Sequence, residues 1–453
     1  MKVLKFGGTS MGSVQSIVQV KNIITKNDEP KIVVCSAMSG VTNQLLEVTK
    51  AMRNSDKASL AKNIKKLKDH HEEAINGLRI DEKAKKSIKN KISNIFEGLT
   101  NRVYADFSEE LEGEVVTFGE MLSSQLLSGY LQALGVDNAL LLAKDFMYTD
   151  ELGNPEMEKI ETSLKRILNT PESEKLYITQ GYVCRDPNGK VCNLGRGGSD
   201  YSGAIIGAAL SAKEVQIWTD IDGVHNNDPR YVDETSSISF LSYQEASSLA
   251  YFGAKVLHPQ TVQPLIEKQI PLRLKNTFDP TAPGTTIANA VSSAEIKAIA
   301  SKGDMAWIGI KNSSPEKEDE LFVKVFSILK ANKVSVEMMS SSENVLSLVI
   351  EKSKCTRKLI DQLEQVFEVD VAKPTYCVVC LAGTFVMKDP KIAMLFKALN
   401  SKPVKMISFG VDGNHLLLLV KKEDKVKTLK LLHDKLFLVP EEETEEMYLE
   451  VLN

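Results

Sequence analysis

Long apolar runs are missing from this sequence: nowhere do about 18 uninterrupted apolar residues occur, the length a membrane-crossing helix needs. The opening Met1-Lys2-Val3-Leu4-Lys5 holds only a short apolar stretch, without the apolar core or small-residue cleavage site of a secretory leader. These absences predict a cytoplasmic chain with no membrane partner. An excess of charge of either sign is missing too, since 56 Lys and Arg stand against 60 Asp and Glu for a net -4. The lack of a basic field argues against a nucleic-acid binder that gains affinity from many phosphate contacts. Histidine is scarce, six in 453 residues, and none accompanies Ser or Cys in a nucleophile–base arrangement, which argues against covalent hydrolysis. The six cysteines, Cys35, Cys184, Cys192, Cys355, Cys377 and Cys380, are scattered and read as buried thiols of a reducing compartment. Cys377 and Cys380 have the spacing of a zinc or redox pair, but no second pair exists. In the β-type run from Tyr376 to Leu381, residues three apart face opposite ways.

What is present is the composition of a globular protein, 43% hydrophobic and 26% charged, in a chain long enough for two to four domains of roughly 100–200 residues. Its first 290 residues repeat one pattern, an apolar strand, a glycine turn and a helix start. Lys5-Phe6-Gly7-Gly8-Thr9-Ser10 follows the first strand and precedes helical spacing from Ser13 to Ile24. Unpaired N–H groups and a positive dipole at a helix start make such a turn an anion cradle, although the lysine precedes the glycines, unlike the common phosphate loop. Its alternative is a tight turn with a surface lysine. Lys31 to Ala37 forms a second strand, leading to Ser36 and Thr42, which are site candidates at a strand end and otherwise helix caps.

Leu45 to about Leu134 reads as helical, with a solvated lysine-rich face between Lys62 and Lys91. Glu120 opens an apolar helix, where a carboxylate complements the dipole or holds a substrate ammonium. Further strands at Val136 to Leu142, Lys175 to Gln180 and Val215 to Thr219 predict a mainly parallel sheet sandwiched by helices, with a hairpin near Cys184 to Val191. Gly195-Arg196-Gly197-Gly198-Ser199-Asp200 then gathers three glycines, a guanidinium, a hydroxyl and a carboxylate at a helix start. Capping accounts for Ser199 or Asp200 but leaves Arg196 unexplained, and that side chain suits bidentate contact with a carboxylate or phosphate. After about residue 290, two similar units, each reading strand, helix, strand, strand, helix, predict small antiparallel sheets with helices on one face.

Together with Trp218-Thr219-Asp220 and the stretch from Phe252 to Pro259, these motifs make the first part resemble the aspartokinases of the amino-acid kinase superfamily. The duplicated tail resembles their paired ACT regulatory domains. Nearly the whole chain takes part, in order. The resemblance implies a catalytic domain over 1–290 and a tandem ACT region over 291–453. The first ACT unit would occupy about 304–374, and the second about 375–453 with a strand taken from 296–301. The implied reaction is monofunctional: ATP and L-aspartate give ADP and 4-phospho-L-aspartate, the first step toward lysine, threonine, methionine and diaminopimelate. Such a carboxylate, with a pKa near 3.9, is already ionised and needs no general base.

Carried over by motif, Lys5 and Asp200 are catalytic, Gly7, Gly8 and Ser10 hold phosphate, and Ser36, Thr42, Glu120, Arg196, Gly198 and Ser199 take the aspartate. Thr219, Asp220, His225, Arg230, Lys255 and Val256 fall at nucleotide-binding positions, His225 standing where the family commonly has an aromatic residue. Mg²⁺ is implied as carried by ATP, with no metal site of its own. Ser335, Val336, Glu337, Ser341, Ser342 and Glu343 fall where relatives bind an effector, lysine or else threonine, at an ACT dimer interface. Glu337 replaces the usual aspartate, and Pro315 to Glu320 departs from the family pattern. A homodimer or dimer of dimers through the ACT region is implied as well. Rival expectations are another member of the superfamily, such as a glutamate, acetylglutamate, carbamate or nucleoside-monophosphate kinase, or an amino-acid sensor without turnover.

Overall fold

The computed structural model describes residues 1–169, 175–253, 257, 259–289, 296–312, 318–383, 390–399, 403–410 and 413–438. These form two compact units, described separately: the first is built from Met1–Val224, Ser237–Tyr243 and Val256–Ala290, the second from His225–Ser236, Gln244–Lys255 and Val291–Asn453. Among the described residues no helix is long and apolar enough to cross a membrane.

Among the described residues, ten strands belong to the first unit: β1 (Lys2–Phe6), β2 (Lys31–Cys35), β3 (Ala139–Leu141), β4 (Leu176–Gln180), β5 (Val183–Arg185), β6 (Val191–Asn193), β7 (Val215–Thr219), β8 (Phe240–Ser242), β9 (Leu272–Asn276) and β10 (Thr285–Ala288). Eight make one sheet in the order β3-β4-β2-β1-β7-β9-β10-β8, and β5 with β6 forms a separate hairpin. All pairings in the large sheet are parallel except β9 with β10. The strands are short and apolar because both faces are covered, as parallel sheets require. β1 sits between β2 and β7, so the carboxyl ends of all three open on one edge, where ligands of such sheets bind.

On one face, Leu4, Phe6, Val33, Cys35 and Trp218 join the apolar stripes of α1 (Val14–Ile24), α2 (Val41–Arg53), α3 (Lys57–Gly77), α4 (Glu82–Val103), α5 (Glu109–Val115) and α6 (Phe118–Ala133) in one core. Each fully buried Leu or Ile there contributes about 1.5–3 kcal/mol. Beyond α7 (Met157–Leu168), α8 (Gly198–Ala209) lies against β1 and β7 through glycines one turn apart. A Cβ on Gly203 would stand 3.4 Å from Lys5 Cβ, and one on Gly207 only 2.3 Å from Val215 Cγ2. The small residues set how near this helix comes to the strand bearing Lys5.

The second unit holds an antiparallel seven-stranded sheet of β11 (Ile296–Lys311), β12 (Val336–Ser342), β13 (Val345–Glu351), β14 (Glu368–Val371), β15 (Tyr376–Gly383), β16 (Val404–Phe409) and β17 (His415–Lys421). The path runs β12-β13-β11-β15-β17-β16, with β14 also on β11. Two small sheets are expected from the repeat; the structure instead joins them through one long strand. Ile296 to Met305 of β11 pairs with β15, and Met305 to Lys311 pairs with β13. A register irregularity between Lys302 and Met305 lets the strand change partners there. Helices Glu318–Ala331, Arg357–Glu364, Pro390–Leu399 and Lys425–Phe437 accompany the strands. His225–Ser236 and Gln244–Lys255, which precede residue 290, belong with this unit.

Candidate active site

At the carboxyl edge of the first unit's sheet a cavity of about 380 Å³ is lined by Lys5, Ser36, Thr42, Glu120, Tyr182 and the loop from Gly195 to Asp200. Lys5 is buried near the end of β1, and its Nζ lies 2.5 Å from Asp200 Oδ1 in the first turn of α8. The ion pair exists because Gly203 and Gly207 bring that helix close to the strand. A Cβ on Gly7 would sit 3.7 Å from Lys5 Nζ, in ordinary contact, so the turn after β1 passes directly beside the amine.

Glu120 enters from the first turn of α6, which packs tightly because Gly119 faces Ala37 Cβ. Its side chain is buried; Oε1 accepts a 3.4 Å hydrogen bond from Ser199 Oγ, while Oε2 has no partner among the described residues. Burial pushes this carboxyl up to about 8, against opposing hydrogen bonds from Ala37 and its own backbone N–H, from Ser199, and the charge of Lys5. An orphaned buried carboxylate oxygen is costly unless something else supplies a donor. A ligand ammonium fits that need.

The loop's glycines have steric causes. Gly197 caps α8 at φ 72°, a left-handed value that suits glycine. A Cβ on Gly198 would stand 2.6 Å from Tyr182 Cδ2, so the loop is shaped around that ring. Tyr182 itself is a non-glycine residue at φ 67°, and its N–H donates to Ser202 Oγ at 2.9 Å. Burial, with the nearby Glu120 and Cys184, raises its phenol to about 12. No sequence motif singles out Tyr182; its one signal is a place after Gly181 at a strand end. Arg196 stands exposed on the loop with no ion pair among the described residues. The cavity thus offers one paired amine, one unpaired guanidinium and one unsatisfied carboxyl.

Several predicted residues lie elsewhere. Gly7 and Gly8 form the turn after β1 without lining the cavity, and Gly7 N–H donates to Trp218 O at 3.0 Å. Ser10 is fully buried, its hydroxyl 3.2 Å from Trp218 O and 2.7 Å from Thr277 Oγ1, so it braces the turn from beneath. Thr219 ends β7, and its hydroxyl donates to the exposed Asp220. His225 and Arg230 belong to the second unit, where His225 Nδ1 meets Thr235 Oγ1 at 2.9 Å and Arg230 grips Asp228 with Nε and Nη2. Lys255, Val256 and part of the stretch from Pro315 to Glu320 lie outside the described residues. The effector candidates sit at opposite ends of β12: Ser335, Val336 and Glu337 at its start, Ser341, Ser342 and Glu343 at its finish. At about 3.3 Å per residue these groups are too far apart for one small ligand. Glu337 is nearly enclosed, and its Oε1 accepts from Lys302 Nζ at 2.9 Å.

The sequence model of the Amino acid kinase family matches residues 1–276, well over half of the chain. Aspartokinase 3, chloroplastic, of Arabidopsis thaliana is 30% identical over 463 residues, covering 96% of this chain and 81% of its own. The chain belongs to the amino acid kinase family and, within it, to the aspartokinases. This aspartokinase-family chain is also 31% identical over 466 residues to the bifunctional aspartokinase/homoserine dehydrogenase 2, chloroplastic, of Arabidopsis thaliana, covering 96% of the chain but only 50% of that relative. It therefore spans about half the length of the bifunctional protein it matches. Among solved structures, E. coli aspartokinase III in complex with aspartate and ADP (R-state) superposes with a TM-score of 0.82 at 27% identity, covering 96% of this chain and 100% of that one. The same enzyme in complex with lysine and aspartate (T-state) gives 0.78 at 27% identity, covering 96% and 99%.

Proposed function

We propose that this chain transfers the γ-phosphoryl group of ATP to the side-chain carboxylate of L-aspartate, giving ADP and 4-phospho-L-aspartate. The observation that carries the reading is the cavity that joins the Lys5–Asp200 pair to the unsatisfied carboxyl of Glu120. Aspartate has three charged groups, and the cavity meets each. Glu120 takes the ammonium, Arg196 clamps the α-carboxylate, and the remaining carboxylate points toward Lys5. Ser36, Thr42, Gly198 and Ser199 complete the walls. The relative crystallised with aspartate and ADP supports the substrate pair.

The attacking carboxylate oxygen forms a bond to phosphorus while the bond to the bridging oxygen of ADP breaks. The nucleophile is already ionised, so the obstacle is repulsion between two anions. Lys5 answers it by placing a positive charge beside the transferring group, with the Gly8 N–H at the same turn; the Gly7 N–H is engaged by Trp218 O, so Gly7 serves by shaping that turn. Asp200 is a positioning residue that aims Lys5. Mg²⁺ arrives with the nucleotide in this reading. There it would neutralise phosphate charge. Thr219, Asp220, His225, Arg230, Lys255 and Val256 are proposed for the nucleotide.

The catalytic domain in this reading covers 1–290, and the tandem ACT region covers 291–453. Because the two halves of the effector set lie at opposite ends of β12, two copies pairing this strand antiparallel would bring one chain's Glu337 end to the other's Ser341 end. That geometry supports a homodimer, and the relative bound to lysine supports lysine as the effector in a pathway toward lysine, threonine and methionine. ADP formation measured with ATP, Mg²⁺ and either aspartate or glutamate tests the reaction. One extra methylene should cost about 10- to 200-fold in kcat/KM. Preference for glutamate, or lysine binding without turnover, overturns it.

A further inference from the structure

The hairpin beside the cavity sets Cys184 of β5 directly opposite Cys192 of β6, with their Sγ atoms 3.2 Å apart. Two residues to either side, Asp186 N–H donates to Lys190 O and Leu194 N–H donates to Tyr182 O. The cysteines therefore occupy a hydrogen-bonded pair position, where opposed Cα atoms stand about 5.5 Å apart. That lies inside the roughly 4.4–6.8 Å a disulfide spans. Forming the bond closes the Sγ atoms from 3.2 Å to about 2.05 Å, which rotates both side chains and draws the two strands' Cβ atoms together.

The two thiols are unequal. Cys184 is buried and Cys192 is partly exposed. The hydrogen bond between them holds Cys192 below the usual thiol range and, with burial, keeps Cys184 above it. Cys192 is therefore the member that an incoming disulfide can reach, and the buried Cys184 waits behind it. Cys35, Cys377 and Cys380 are buried, and Cys355 stands without a cysteine partner.

We propose that Cys184 and Cys192 form a thiol–disulfide exchange site that takes low-molecular-weight disulfides and, once closed, pins the base of the loop from Leu194 to Ser199. Cys192 thiolate attacks one sulfur of the incoming disulfide and expels a thiolate, which takes up a proton. Cys184 then attacks the Cys192 sulfur of the mixed disulfide and releases the second small thiol. Two protein thiols are oxidised and one small disulfide is reduced. The mechanical link is short: β5 starts one residue after Tyr182, and β6 leads through Asn193 into the loop. Asn193 Oδ1 accepts from Gly195 N at 3.1 Å and Nδ2 donates to Gly113 O at 3.1 Å. The proposal does not depend on the substrate assigned to the cavity.

Incubation of the full chain with oxidised glutathione, followed by alkylation under denaturing conditions, tests it. The count of alkylatable cysteines should fall by two from six, a digest should contain peptides joined through Cys184 and Cys192, and dithiothreitol should restore all six. Amide exchange across 183–194 should slow in the oxidised form. All six remaining alkylatable, a glutathione adduct persisting on Cys192, or a link between two chains overturns the site. Unchanged exchange in the closed form overturns the pinning. Cys192→Ser should lose no pair of thiols under the same treatment, and a loss of two there would place the chemistry on other cysteines.

Discussion

If Glu120 holds the substrate ammonium as proposed, one buried carboxyl couples substrate binding to pH. Burial raises it to about 8, so in the free protein it is neutral through most of the neutral range. A bound ammonium favours the ionised form, so binding aspartate below that value must expel a proton. KM for aspartate should therefore fall as pH rises toward about 8, by at most tenfold per pH unit, and level off above it. Glu120→Gln should flatten the profile while raising KM. The sign is opposite for stability without ligand. The native state keeps a proton that the unfolded chain has released, so stability is lost as pH rises from the ordinary carboxyl value through about 8. A KM that is flat with pH in the unsubstituted protein would remove Glu120 from the ammonium role. In the proposed reaction Lys5 acts at the other end of the cavity, on charge that changes during transfer. Lys5→Ala should lower kcat roughly 100- to 1,000-fold. Its circular dichroism and effector binding should stay near those of the parent, and retained kcat would refute the role.

At the scale of elements, the motifs were legible where their chemistry is local. Strand, glycine turn and helix start can be read from consecutive residues, and the cavity does gather Lys5, Ser36, Thr42, Glu120, Arg196, Gly198, Ser199 and Asp200. Ser10 was not legible, because whether its hydroxyl faces the ligand or Trp218 and Thr277 depends on strands far away in sequence. Tyr182 and the Cys184–Cys192 pair were hidden for the same reason: one role needs a left-handed residue against Gly198, the other a hairpin register. The glycines of α8 carry a testable consequence. Gly207→Ala puts a methyl 2.3 Å from Val215 Cγ2, and overpacking of this kind costs about 1–3 kcal/mol. The helix should also back away from β1 and draw Asp200 off Lys5. A lower melting temperature and a lower kcat together are expected, and an unchanged kcat would mean that α8 does not set the ion pair. In the second unit, Lys302→Met leaves the Glu337 carboxylate enclosed with no cation. The cost should be about 2 kcal/mol, below the roughly 3–5 of a fully buried pair because Lys302 is 23% exposed. Adding Glu337→Gln should recover most of it in urea denaturation.

Over the whole molecule, a boundary near residue 290 is expected from the change of sequence character, but compactness divides the chain differently. Segments 225–236 and 244–255 precede that point in sequence and pack with residues beyond it. Val232 is buried among Ile296, Val379, Leu418 and Leu432. Asn227 Nδ2 donates to Leu429 O at 3.1 Å, and His433 Nε2 meets Glu234 O at 3.1 Å. Such pairings join residues about 200 positions apart, so no local window reveals them. They also change what truncation would do. A chain ending at residue 290 keeps Val232, Asn227 and Glu234 but loses every one of these partners, exposing apolar surface and leaving the Asn227 amide to water. Rather than a free-standing kinase relieved of feedback, the expected product melts well below the full chain and binds a hydrophobic dye at room temperature. Burying Val232 alone is worth about 1.5–3 kcal/mol, a large share of ordinary domain stability. Val232→Ser in the shortened chain should then reduce dye binding, whereas in the full chain the same change should lower the melting temperature. A shortened chain that melts like the parent, with full activity and no dye binding, would show that the two segments fold without the second unit's core.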